Sequence, residues 1–135
     1  MKFLKMNQDL TFEIIDADPT DTLKTLQSAV DGVICSVRGY FDLPENTWAW
    51  GNDEALYRDD FEPVMYYKHD LGDGVLKGPI VFTGMSDVGQ TLGLSDELIE
   101  EIKISVEGMP CCRVSGDGTK WKTVLHVDLN SDVQD

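Results

Sequence analysis

The 135-residue chain predicts an α+β fold in a single domain, a mixed or mostly antiparallel sheet with about two helices packed on one of its faces. Three observations predict it. Short alternating or β-branched apolar stretches recur along the chain, only two segments carry apolar residues at helical spacing, and a long alternating strand follows a Ser-Gly-Asp-Gly turn. No linker, repeat or low-complexity segment divides the sequence, so 1–135 reads as one domain. A chain of this size exposes roughly 22,000 Å² unfolded against roughly 7,100 Å² folded, enough loss to support a core without disulfides or metal.

The elements follow in order. Residues 10–15 alternate and then run apolar before Asp16-Ala-Asp-Pro19 stops them, the pattern of a first strand. Asp18 ahead of Pro19 has the chemistry of a helix start, Leu23, Leu26, Ala29 and Val30 recur at helical spacing, and Gly32 suits the C-terminal cap. That predicts a helix over about 19–31. Residues 33–37 form a second strand and 47–50 a third, with Gly51-Asn52 turning the chain. From Asp53 to Asp73 no period dominates, although 64–67 fits a strand or a short helix, and Gly72-Asp73-Gly74 is a turn. Residues 78–83 make the next strand, bounded by Gly84, and Pro79 stands at its start where a missing N–H costs little.

A second helix starts near Ser95, whose hydroxyl caps it, with Asp96 and Glu97 at the positive end of its dipole. Leu98, Ile99 and Ile102 form its inward stripe, and Asp96, Glu97, Glu100 and Glu101 face the other way. Like charges at i,i+4 there cost a few tenths of a kcal/mol each, so helix formation did not ask for them. Last comes a hairpin over 109–129, with strands at 111–114 and 119–129 joined by a turn at 115–118. On its second strand Thr119, Trp121, Thr123, Leu125, Val127 and Leu129 share one face, and Lys120, Lys122, Val124, His126 and Asp128 the other.

Eleven basic against 25 acidic residues leave a net charge of −14. Nucleic-acid binding neutralises phosphates with Lys and Arg, so direct DNA or RNA binding is disfavoured, and anionic membranes are disfavoured for the same reason. A basic protein partner fits this balance, and so does plain solubility. No run is long and apolar enough to cross a bilayer, and Met1-Lys2-Phe3-Leu4-Lys5 leads into no apolar signal core. Three cysteines, Cys35, Cys111 and Cys112, are too few and odd in number for a disulfide scaffold, which predicts a reduced, cytoplasmic setting.

Motifs for chemistry are missing. His69, His126, Cys111 and Cys112 show no metal-ligand spacing, and adjacent strand cysteines point to opposite faces, so one core and one surface cysteine is the plainer reading. Asp70-Leu-Gly-Asp73 lacks the ligand pattern of a calcium loop, and His69 beside Asp70 reads as a solvated turn. There is no G-x-S-x-G, phosphate loop or dinucleotide fingerprint. No catalytic residue, metal ligand or cofactor is therefore assigned, and enzyme status stays open with the missing motifs arguing against one.

Binding has more material. Trp48 and Trp50, two apart on one strand, share a face. Facing a helix they are core; facing outward they form an aromatic anchor beside Asp53, Glu54, Asp59, Asp60 and Glu62. Mimicry of duplex DNA, with a charge about every 1.7 Å, demands that these acids join Asp96, Glu97, Glu100 and Glu101 in a single stripe. Lys77, Arg113, Lys120 and Lys122 are the one basic cluster that a nucleotide could use.

The segments Leu23-Lys-Thr-Leu-Gln-Ser-Ala-Val-Asp-Gly-Val-Ile34, Trp48-Ala-Trp-Gly-Asn-Asp-Glu-Ala-Leu-Tyr57, Gly78-Pro-Ile-Val-Phe-Thr-Gly84 and Leu94-Ser-Asp-Glu-Leu-Ile-Glu-Glu101, in this order, resemble domain of unknown function 3846 (DUF3846) over roughly 10–103. That resemblance covers a β-α-β-β-β-α core and leaves the 109–129 hairpin as an elaboration. Where the family pattern carries an Asn, Arg58-Asp-Asp-Phe-Glu62 stands here. The resemblance implies a small protein of a phage or other mobile element, an accessory factor acting on host components. The expected function is non-covalent binding of a basic host protein through an acidic face, by a monomer or homodimer. A nucleotide-signal binder, sponge or hydrolase is the alternative, and an acidic DNA mimic a further one.

Overall fold

A computed structural model of the chain describes residues 1–115 and 121–129. Its elements, in order, are β1 (Lys2–Met6), β2 (Phe12–Asp16), α1 (Thr22–Val30), β3 (Ile34–Ser36), β4 (Thr47–Asn52), β5 (Pro63–Lys68), β6 (Gly74–Lys77), β7 (Ile80–Met85), β8 (Thr91–Leu92), α2 (Asp96–Glu107), β9 (Cys111–Ser115) and β10 (Trp121–Asp128). Single 3-10 turns lie at Arg38–Tyr40 and Ala55–Tyr57. Among the described residues these make two mostly antiparallel sheets and an α+β single-domain fold.

The first sheet runs β2-β1-β7-β4-β3, with β8 added to β7, and every pairing in it is antiparallel. The second runs β6-β5-β10-β9, and its β5–β10 pairing is parallel, Leu125 standing beside Met65. The main core lies between the sheets, where Leu4, Met6, Ala49, Ile80 and Phe82 meet Val64, Met65 and Leu125, closed by Ile99, Ile102 and Val106 of α2. A smaller core on the other face of the first sheet joins Phe3 and Val81 to Leu26 and Val30 of α1.

The expected single sheet with both helices on one face is therefore corrected to two sheets, with α1 and α2 on opposite faces of the first. The cause is that the central strands are apolar on both faces: Phe3 and Val81 point to α1, Leu4, Phe82 and Ile80 to the second sheet. The sequence pattern does not mark strand β1, because its lysines flank the apolar residues, yet Phe3, Leu4 and Met6 are all fully buried. The first expected strand starts later, at Phe12, since Leu10 takes a positive φ of 69° in the β1–β2 turn.

Helix α1 is shorter than 19–31. Asp21 caps it by accepting from the Lys24 N–H at 3.1 Å, while Asp18 folds an Asx turn onto Thr20 at 2.9 Å. The left-handed C-terminal residue is Asp31 (φ 59°), not Gly32, which follows at φ 152°. Gly51 and Asn52 continue β4 instead of turning, because Gly51 lets Val37 and Ile80 close in; an added Cβ would stand 3.3 Å from Val37. Gly84 likewise lies inside β7, where an added Cβ would meet the Gly93 carbonyl at 2.8 Å. The undecided 64–67 segment is strand β5, and β6 follows the Gly72–Gly74 turn. Helix α2 starts as expected, with Ser95 Oγ accepting from the Leu98 N–H at 3.2 Å. The hairpin pairs Trp121 with Ser115, and most of its expected turn, together with Thr119 and Lys120, lies outside the described residues.

Candidate functional site

The two β4 tryptophans share the face that carries α1 and are half-buried, neither core nor an open anchor. Their rings lie 6.3 Å apart, and each indole N–H is satisfied: Trp48 Nε1 donates to Ser36 Oγ at 2.8 Å and Trp50 Nε1 to Thr83 Oγ1 at 3.1 Å. Trp50 packs against the α1 core, and the Arg38 guanidinium covers Trp48 at 5.2 Å from the ring centre. Trp121, on β10, is 61% exposed.

The acids do not form one stripe. Asp53, Glu54, Asp59, Asp60 and Glu62 follow the end of β4, the end of the first sheet marked by Ile80 and Met6. Asp96 sits at the opposite end, where Lys2 Nζ holds it at 2.9 Å and Leu94 N–H donates to the Lys2 carbonyl. Several are also engaged. Arg58 forks onto Asp60 through Nε and Nη2 at 2.7 and 2.6 Å and reaches Asp31 at 2.8 Å. Glu62 lies 3.9 Å from Lys122 Nζ, and Glu100 lies 3.9 Å from Lys103. The Arg58 hydrogen bond holds the Asp60 carboxyl below the usual range, and Lys2 does the same for Asp96. Glu97 and Glu101 stand exposed on the outer face of α2.

A knob the sequence did not signal lies among the acids. The 3-10 turn Ala55–Tyr57 lifts Leu56 and Tyr57 into solvent, 62% and 86% exposed, with Asp53, Glu54 and Asp59 around them. Ala55 anchors it, 6% exposed. The Asn52 carboxamide oxygen accepts from the Glu54 N–H at 2.7 Å, and Arg58 Nη1 donates to the Asp31 carbonyl at 3.1 Å. Both ends of the knob are thereby tied to the end of α1. With no period and only one residue buried, Ala-Leu-Tyr carries no sequence signal that distinguishes a knob from a plain loop.

Beside the knob a cleft of about 160 Å³ opens between β3 and the second sheet, lined by Cys35, Tyr40, Asp53, Leu56, Tyr67 and Lys77 among others. Tyr40 and Tyr67 pack with ring centres 5.0 Å apart. Tyr67 needs Gly74 opposite it, since an added Cβ there would come within 2.5 Å of its hydroxyl. Burial pushes the Tyr40 phenol up, reinforced by Tyr67; burial and then the Asp53 charge push the Cys35 thiol up. Both side chains are thus held neutral, which fits a packing role better than a nucleophile.

The expected basic cluster is spoken for. Lys77 Nζ donates to the Arg58 carbonyl at 2.9 Å, Lys122 Nζ donates to the Gln8 carbonyl, Arg113 covers Trp121 at 5.7 Å, and Lys120 lies outside the described residues. Cys111 is exposed and Cys112 half-buried. His69 sits in a turn, its Nδ1 accepting from the Leu71 N–H at 3.0 Å. Among the described residues no group of three or more His, Cys, Asp or Glu could hold a metal ion, and no helix is long and apolar enough to cross a membrane.

Comparison with known proteins matches residues 1–107 to a family described as domain of unknown function (DUF3846), slightly wider than 10–103, with β9 and β10 beyond it. No curated protein and no solved structure matches the chain.

Proposed function

The chain belongs to the DUF3846 family, whose description names no activity, and we propose from its surface that it works by non-covalent binding of a basic protein surface, through the acidic knob at Ala55–Tyr57. The carrying observation is Tyr57, 86% exposed and next to exposed Leu56 with Asp53, Glu54 and Asp59 alongside. Leu56 and Tyr57 together form an exposed apolar patch that the fold does not bury, and tyrosines that dock into a partner are frequent energetic anchors. The net charge of −14 steers positively charged surfaces toward it. In the phage or mobile-element setting implied by the sequence resemblance, the partner is a host protein in the cytoplasm.

The test is capture from a bacterial lysate, identification of the retained protein, and titration of the purified pair at rising salt. Asp53→Lys with Glu54→Lys and Asp59→Lys, and separately Tyr57→Ala, should each weaken binding at least tenfold. Glu97→Lys with Glu101→Lys, on the distant helix face, should change it little. Asp60 and Glu62 are left intact because each holds a cation of its own chain. Affinity indifferent to salt and to both knob variants overturns the proposal.

A further inference from the structure

The cleft beside the knob is too small for a folded segment or a drug-sized ligand, which take about 300–1,000 Å³; at about 160 Å³ it admits one side chain. Its walls have a definite chemistry. Tyr40 and Tyr67 contribute aromatic lining, Leu56 an aliphatic one and Asp53 a carboxylate-bearing one. Among the described residues Asp53 has no ion-pair partner; its backbone N–H alone is used, donating to the Val33 carbonyl at 2.7 Å. The other charge present, Lys77, has its ammonium held at the Arg58 carbonyl. Cys35 feels the Asp53 charge, so the field of that carboxylate reaches into the cleft.

We infer that this cleft receives one arginine side chain of the basic partner, its guanidinium stacked against the tyrosine pair and forked onto Asp53. A planar guanidinium both stacks on aromatic rings and meets a carboxylate with two parallel hydrogen bonds, which a compact ammonium cannot do. The inference rests on the docking reading above and adds the residue that the site reads. It also explains why Leu56 stays exposed: with the arginine in place, its side chain covers the aliphatic stem.

The probe is Nα-acetyl-arginine methylamide, titrated into the isotopically labelled protein at low salt and followed by amide chemical shifts. Millimolar saturation with shifts centred on Cys35, Asp53 and Leu76 is expected, and Nα-acetyl-norleucine methylamide should bind at least fivefold more weakly. Asp53→Asn should weaken the arginine probe at least fivefold while Asp53→Glu retains most of it, with unchanged thermal unfolding showing that both variants are folded. No saturable shift, equal binding of the norleucine probe, or indifference to Asp53→Asn overturns the inference. The probe reads the cleft without any partner, so its failure alongside Tyr57-dependent capture sinks the arginine site and leaves the docking reading standing.

Discussion

Asn52, at the end of β4, donates its Nδ2 to the carbonyl of Val30 at 3.0 Å, and to that of Asp31 at 3.1 Å. A helix leaves its last carbonyls without intrahelical donors, and here a neighbouring strand supplies them. The same carboxamide accepts from Glu54 through its oxygen, so one buried side chain, 6% exposed, joins helix, sheet and knob.

Replacing it removes three hydrogen bonds from a buried side chain. Asn52→Leu should cost about 2–3 kcal/mol of stability, read as a lower urea midpoint at constant slope. Gly32→Ala should also destabilise, because φ is 152° and the new Cβ would stand 2.7 Å from Asn52 Nδ2. Gly39→Ala, with nothing within 4 Å, is the control and should leave the midpoint nearly unchanged.

The hairpin beyond the family match is part of the core. Leu125 is 4% exposed and Val124 fully buried, and β10 is the strand through which β5 and β9 are joined. Leu125→Ala should cost about 2–5 kcal/mol. A chain ended after Glu107 should fail to give a cooperative unfolding transition; a sharp transition near that of the whole chain would show the hairpin to be dispensable.

The tryptophans differ enough to be separated by fluorescence. Trp121→Phe should shift the emission to the blue and reduce quenching by acrylamide, since it removes the most exposed indole. Trp50→Phe should do the reverse, as it removes an indole packed against α1. Equal quenching in both variants would contradict this placement.

Acid should destabilise the fold from about pH 4 downward. Asp60 is held below its usual range by the Arg58 hydrogen bond, Asp96 by Lys2, and Asp73 by the His69 N–H and then the Tyr66 hydroxyl. A carboxylate whose folded value is depressed adds stability above its unfolded value of about 3.9, and that contribution is lost as pH falls through the folded value. Unfolding free energy followed from pH 6 to 2 should therefore decline, and Arg58→Met should flatten part of the decline. An identical slope in that variant would remove Asp60 from the account.

Local chemistry was legible where it sufficed. Ser95 and the stripe Ile99–Ile102 mark α2 because cap and period agree, and the alternation from Trp121 to Val127 marks β10. Strand β1 was hidden because its identity comes from pairing with β7, a distant partner, while Lys2 and Lys5 mask its burial. Gly51-Asn52 reads as a turn from composition; only the approach of Val37 and the open end of α1 make it a strand. The candidate acids were found by type, but which of them are engaged depends on where Arg58, Lys2 and Lys122 fall in space.

The side-by-side placement of Met65 and Leu125 in parallel strands also governs when the protein can fold. On the ribosome β5 and β6 emerge early but have no partner for their open side until β10 has cleared the exit tunnel. The second layer must therefore close only after β10 has emerged, and such long-range closure belongs to chains that fold in milliseconds to seconds rather than microseconds.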